Sequence, residues 1–381
     1  CRYVTGVQTC ALPISREQTD DTNGGMSRFL ALAACCTLLA APSALASKIA
    51  DPGYSRAAAG PVPSGAWAQV HIRYVVAHGL MAKTVATFRA GDDLTQGELA
   101  TLVAGITKQA ATVPANPSAP VTVTQLDARL VRMLQLSDAA TAFFNGARAA
   151  GLAVPARFGT ESVARLLGLR TDHPVKQDDL ELLPSEPVTR AETAYSVSKI
   201  LHFAGWEHQY AEDAAASFTL PQLTAWQKRV LNTAVRFIGF PYVWGGTSEA
   251  PESPFGVDAP GGFDCSGFVW RVYKLHAYPG GAALATTLKG RTTYQMSGEV
   301  PSSKRIAFAK IAPGDVLFFG PNGPRSKPAS VGHMGIALGG GWMIHSSGQG
   351  VSLSPLTGWY RQQFAWARRP LAEAGLAASA R

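Results

Sequence analysis

The chain has 381 residues, 46% of them hydrophobic, with a formal net charge of +8 and a pI of about 9.3. That much apolar material supplies a packed core and excludes a disordered chain, and the length is enough for two or three domains. The basic balance suits anionic partners, but the absence of a Lys/Arg run or a nucleic-acid module argues against nucleic acid.

From Met26, the stretch MSRFLALAACCTLLAAPSALA has the parts of a secretory signal. Arg28 gives the positive end, residues 29–41 the apolar part, and Ala44-Leu45-Ala46 a small-residue cleavage site before Ser47. It predicts export to the cell envelope or beyond, with cleavage after Ala46. The apolar part is too short for a membrane span, so the mature chain is expected to lack one. A competing reading makes Cys35 a lipidated N-terminus. Residues 1–25 precede this start, resemble translated sequencing adapter, and are taken as non-native. Of the cysteines Cys1, Cys10, Cys35, Cys36 and Cys265, processing then leaves Cys265. A lone exported cysteine is an intermolecular bridge, an inert buried thiol or a reactive one; flanking Asp264, Ser266 and glycines favour the last.

Residues 47–63 read as a flexible Pro/Gly-rich leader, and residues 64–205 as mainly helical with a weak internal repeat. Trp67, Val70, Tyr74 and Val75, stopped at Gly79, mark a first amphipathic helix. Thr95 and Glu98 have capping-box spacing at the start of a second. Thr124 with Asp127, and Thr189 with Glu192, repeat the device, while residues 143–152 echo the first helix. Residues 206–220 read as a connector. A long helix is expected next, with Pro221 in its first turn, Gly239 at its stop, and Trp226, Val230, Ala234, Phe237 and Ile238 on its buried face.

Residues 261–275, GGFDCSGFVWRVYKL, place Cys265 where a glycine-rich approach meets a helix with Phe268, Val269, Val272 and Leu275 on one face. At a helix N-terminus, unpaired N–H groups and the macrodipole favour a thiolate, the nucleophilic form. Residues 316–319, 333–338 and 342–346 read as strands, with residues 351–356 and 364–368 as candidates for two more and residues 372–381 as a tail. His333 alternates with Gly335 and Ala337, a small-residue face with room for a helix or substrate. If Gly339-Gly340-Gly341 is a three-residue loop, Leu338 pairs with Trp342 and Gly335 with His345, which puts both histidines on one face. A two-residue loop would separate them. The remaining histidines, His71, His78, His173, His202, His208 and His276, read as structural or surface.

Two resemblances follow. Thr189-Arg190-Ala191-Glu192, with W…GL…F…D upstream, resembles the S-layer homology repeat, which implies a wall-binding module for anionic polymers over residues 64–205. Its alternative is a packing module whose Thr-x-x-Glu steps merely start helices. YVWGG, GFDCSGFV, PGDVLFF and HMGIALGGGWMIHSS, in that order, resemble the NlpC-type papain-like cell-wall cysteine peptidases. That resemblance implies an α+β catalytic domain over residues 221–371, its nucleophile helix packed on an antiparallel sheet. It also implies hydrolysis of amide bonds in peptidoglycan stem peptides, commonly the one between γ-linked D-glutamate and a diamino acid. By it Cys265 is nucleophile, His333 base and His345 the third polar member. Tyr242 would face the oxyanion or substrate, and Asp264 and Ser266 would hold the stem peptide's free amine. Tyr242 also reads as a packed aromatic beside Trp244, and Asp264 as a helix cap. Gln295 and Arg369 are cleft-lining candidates. One thiolate and two imidazoles could hold zinc, but Cys265 has no second ligand at a usual metal spacing, so no metal or cofactor is expected. A degenerate, non-catalytic wall scaffold and an acyl transferase on the same thiol are the alternative functions.

Overall fold

A computed structural model describes residues 66–173 and 182–377. The expected signal, its cleavage site, Cys35 and the leader lie outside the described residues.

The helical half begins with a short 3-10 turn, Ala66–Ala68, and α1, Gln69–Ala77, which ends near Gly79 at φ 71°. Then come α2 (Gln96–Thr107), α3 (Val123–Met133), α4 (Ser137–Ala149), α5 (Phe158–Leu166), α6 (Arg190–Leu201) and α7 (Trp206–Ser217). Thr95 Oγ1 accepts from Glu98 N–H at 3.3 Å, and Glu98 Oε2 accepts from Thr95 N–H at 3.0 Å. This is the reciprocal box that the spacing requires. The second box is displaced from its expected place: Thr122 caps α3 with Gln125, whereas Thr124 lies inside the helix and bonds Pro184 O. Asp127 is buried against Arg170. At the third, Thr189 Oγ1 accepts from Glu192 N–H at 3.2 Å, but the Glu192 carboxylate turns to Arg170 and His173.

The residues just before these three caps meet. Leu94 N–H donates to Val188 O, Val188 N–H to Val121 O, and Val121 N–H to Leu94 O, each at 2.8 Å. The three side chains are fully buried, so a closed ring of backbone bonds forms the hub from which α2, α3 and α6 radiate. The three Thr-capped helix starts thus share one backbone hub, although the spacing between them along the chain is irregular.

The segment read as a connector contains α7. The next helix, α8 (Ala225–Val235), starts later than expected: Thr224 caps it with Gln227, and Pro221 lies before it. Gly239, at φ 88°, follows its end. No helix among the described residues is long and apolar enough to cross a membrane.

The second half is α+β. Strand β1 (Thr247–Ser248) pairs with β2 (Gly262–Phe263), and α9 (Cys265–Trp270) follows, loosening into a π turn over Arg271–Leu275. Phe268, Val269 and Val272 of this run are buried, but Leu275 is 47% exposed, because the π turn rotates it off the apolar face. Helix α10 is Thr293–Gly298. Strands β3 (Val316–Phe319), β4 (His333–Gly339), β5 (Trp342–Ser347), β6 (Gly350–Pro355) and β7 (Phe364–Arg368) form an antiparallel sheet in the order β6-β5-β4-β3-β7. Short helices α11 (Gly358–Gln363) and α12 (Pro370–Glu373) flank β7.

The sheet has two different faces. Met334, Ile336, Leu338 and Ile344 join Phe268, Val269 and Val272 of the nucleophile-bearing segment in the main core. The face carrying Ala337, Leu317, Phe319 and Met343 packs against Ile306, Phe308 and Tyr360. The helix therefore covers the large-residue face, so of the two occupants open for the small-residue face the nucleophile helix is not one.

The helical residues also pack on the sheet half. Phe143 and Phe218 meet Trp342 edge-on at 5.5 and 5.2 Å. Two arginines of the α5 region grip the carbonyls that end α8. Arg157 donates to Arg236 O and Ile238 O at 2.6 and 2.8 Å, and Arg165 donates to Gly239 O at 2.5 Å and to Gln349 O. These cations satisfy carbonyls that the helix itself leaves unpaired, at its negative pole.

Candidate active site

Asp264 is the N-cap of α9, and Cys265 is its first helical residue. Asp264 Oδ1 accepts from Gly267 N–H and from Ser266 Oγ, and Oδ2 accepts from Gly245 N–H at 2.9 Å. Arg291 lies against the same carboxylate at 3.3 Å and donates to Ser266 Oγ at 2.7 Å and Gly245 O at 2.9 Å. The Asp264 carboxylate is thus engaged within the fold, and its bonds favour the capping reading. They also tie the Cys265 helix to the YVWGG loop.

The sulfur is reached by the N–H groups of Met334 and Ser266. Met334 follows His333, so Cys265 meets the start of β4, at the end of the sheet. His333 and His345 share a face, but not through the expected three-residue loop: the loop is the two residues Gly340-Gly341, Leu338 does not pair with Trp342, and the one-residue bulge at Leu338 restores the register that a two-residue loop alone would have lost. Ile336 pairs with Ile344 and Ala337 with Met343, and a bulge at Leu338 shifts the last pair to Gly339 and Trp342. A Cβ on Gly335 would stand 2.9 Å from His345 Cβ, which shows how closely the two strands approach there. His333 Nε2 lies 2.9 Å from His345 Nδ1, and His345 Nε2 lies 2.9 Å from Ser354 Oγ. The Tyr360 ring sits 5.3 Å from that of His345 and 6.1 Å from that of His333. The two imidazoles bond each other instead of converging on one point.

Electrostatics reverse one expectation. Burial, reinforced by the Asp264 carboxylate, pushes the Cys265 thiol up to about 12, against the pull of the Met334 and Ser266 N–H groups and Arg291. Helix α9 is about one and a half turns long before the backbone loosens, and its Gly267 N–H already serves the Asp264 carboxylate, so its pole is weak. Burial lowers His333 to about 4. His345 is lowered well below its ordinary value by burial and then by His333. Burial thus favours the neutral thiol and the neutral imidazoles.

Tyr242 is half-buried; its backbone bridges Phe263, and it lines a cleft with Pro241, Gln349, Arg170 and Asp172. Ser266 is buried beneath Arg291. The two cleft-lining candidates lie elsewhere in function: Gln295 caps α10, and Arg369 pairs with buried Asp315 at 2.7 Å. Sequence reasoning missed Arg291 and Ser354. The alternation Val351-Ser352-Leu353-Ser354 is a signal for the latter, because Ser352 pairs with His345 and shares its face with Ser354.

Residues 239–369 match the family model of the NlpC/P60 family. The C-terminal part of the chain is an NlpC/P60 domain. This domain is similar to the gamma-D-glutamyl-L-lysine dipeptidyl-peptidase of Bacillus cereus, 34% identical over 148 residues, which are 37% of this chain and 36% of that protein. The Bacillus subtilis protein of the same name is 28% identical over 34% of each chain. The probable peptidoglycan endopeptidase LytE of B. subtilis is 33% identical over 35% of this chain and 30% of its own. The chain thus spans about a third of the length of these curated relatives. A solved NlpC/P60 family protein from B. cereus aligns at 28% identity over 40% of this chain and 42% of its own, with a TM-score of 0.29.

Proposed function

We propose that this protein is an envelope-acting cysteine peptidase that hydrolyses amide bonds in peptidoglycan stem peptides, at the bond between γ-D-glutamate and a diamino acid. The observation that carries this reading is the His333–His345 bond of 2.9 Å on the strand pair against which the Cys265-bearing helix packs. The bond specificity is drawn from the printed names of the relatives and the motif resemblance.

Cys265 Sγ attacks the carbonyl carbon as its proton passes to His333 Nδ1, the ring nitrogen not bonded to His345. His345 holds the resulting imidazolium and its orientation. Tyr242 faces the developing oxyanion. Collapse breaks the C–N bond, and the leaving amine takes its proton from His333. Water, activated by His333, then releases the acyl group from sulfur.

Residues 64–205 resemble a wall-binding repeat, and the ring of three backbone bonds supports a repeat. The arginine of its best motif, Arg190, is buried and engaged by Glu98, Met81 O and Phe88 O, which leaves it unavailable to an anionic polymer. We therefore assign this half a supporting role through Arg157 and Arg165.

The test is digestion of purified muropeptides with product masses, for wild type, Cys265→Ala and His333→Ala. Loss in the first and near-loss in the second are expected; hydrolysis retained by Cys265→Ala would sink the mechanism. Added amine acceptors reveal a transferase by the mass of the adduct, and a wild type that binds wall without cutting it would favour the scaffold alternative.

A further inference from the structure

An imidazole in the third position poses a problem that a carboxylate there would not: it can carry its proton on either nitrogen. For His333 Nδ1 to accept the thiol proton, His333 Nε2 must already carry one. His345 Nδ1, its partner at 2.9 Å, must then be bare and accept. That puts the His345 proton on Nε2, which in a buried site requires an acceptor. Ser354 Oγ stands 2.9 Å from that nitrogen, while Tyr360 Oη, at 3.4 Å, is too distant for a good bond.

We infer that Ser354 is a positioning residue: its hydroxyl is the group placed to accept from His345 Nε2–H, and this acceptance satisfies the His345 tautomer that leaves His333 Nδ1 bare toward Cys265. This rests on the cysteine-peptidase reading above. The strand is built for it. Ser352 lies opposite His345, and Ser354 is one diagonal step further on the same face, where its short side chain reaches the outer nitrogen. Tyr360 closes the site from the side and packs against both rings. In the reverse arrangement Ser354 would donate to Nε2 and His345 Nδ1–H to His333. His333 Nδ1 would then carry the proton and could not serve as base.

The experiment is long-range 1H–15N correlation on the full chain with labelled histidine, read beside steady-state kinetics. Wild type should show His345 protonated at Nε2 and bare at Nδ1. Ser354→Ala should mix the two tautomers and lower kcat about ten-fold with KM little changed, the worth of one hydrogen bond. Ser354→Thr should restore both readouts and its isostere Ser354→Val neither, which separates the hydroxyl from side-chain volume and stands in if the alanine variant unfolds. A wild-type His345 protonated at Nδ1 would overturn the inference, as would a tautomer unmoved in the alanine and valine variants, whatever kcat does. The nitrogen signals need no substrate. A tautomer shift in a wild type and variant set that cuts no stem peptide would sink the peptidase reading and leave the role of Ser354 toward His345 standing.

Discussion

Gly335→Ala is the substitution that most directly separates a catalytic role for His345 from a structural one. The new Cβ would lie 2.9 Å from His345 Cβ, 3.1 Å from Ile344 O and 3.2 Å from Met343 Sδ. Carbon atoms rest at roughly 3.5–4.0 Å, so β5 must retreat by about 0.6–1 Å at His345. The His333–His345 bond, 2.9 Å at present, then stretches past the length at which a hydrogen bond still counts. Overpacking of this kind costs roughly 1–3 kcal/mol of stability, which a domain of this size survives. A displacement near 1 Å in a positioning group costs about 100-fold in turnover. Urea denaturation and kcat on purified stem peptides, measured together, give both numbers. Gly332→Ala is the control: it is adjacent to His333, but its Cβ would meet nothing within 4 Å. A folded Gly335→Ala variant with wild-type kcat would refute the reasoning, since His345 would then have no positional demand to meet.

Two further outcomes follow from burial. His333 has its pKa lowered from 6.5 to about 4, so the unfolded imidazole takes up a proton across that window while the folded one stays neutral. The resulting stability is present above pH 6.5 and is lost as pH falls toward 4, by about 3 kcal/mol at 1.36 kcal/mol per unit; His333→Asn should flatten that part of the pH dependence of the urea midpoint. Arg165→Met leaves the buried Glu161 carboxyl without its partner at 3.0 Å, at a cost of about 3–5 kcal/mol, and Glu161→Gln in the same chain should return part of it. Equal urea stabilities for the single and double variants would show that the unpaired carboxyl is not the source of the loss, and leave it to the broken bonds from Arg165 to Gly239 O and Gln349 O.

The parts of this site that the sequence makes legible are local ones. Strand alternation puts His333 and His345 within reach of one face, but the expected three-residue turn is a two-residue one, and it is the bulge at Leu338, which the glycine run does not announce, that brings them together. Helix starts that the sequence marks with a capping Thr are legible to within two residues, whereas α7 and the start of α8 are not. Thr122 with Gln125 and Thr124 with Asp127 both satisfy the capping pattern, and what decides between them is tertiary: Val121 is needed in the backbone ring and Asp127 against Arg170. Arg291 is illegible for the same reason, since nothing in its neighbourhood announces Asp264 twenty-seven residues earlier. The ionisation of Cys265 is harder still. The helix pole that favours a thiolate is a local feature, whereas the burial that opposes it is a property of the whole fold, and burial outweighs the pole. That outcome changes what the third residue is for. In a resting ion pair both nitrogens of His333 would already carry protons, and the tautomer of His345 would be dictated by the charge. In a neutral site no charge dictates it, so the tautomer that leaves His333 Nδ1 bare needs an acceptor at the far end of the chain from His333 to His345. Ser354 stands at that end.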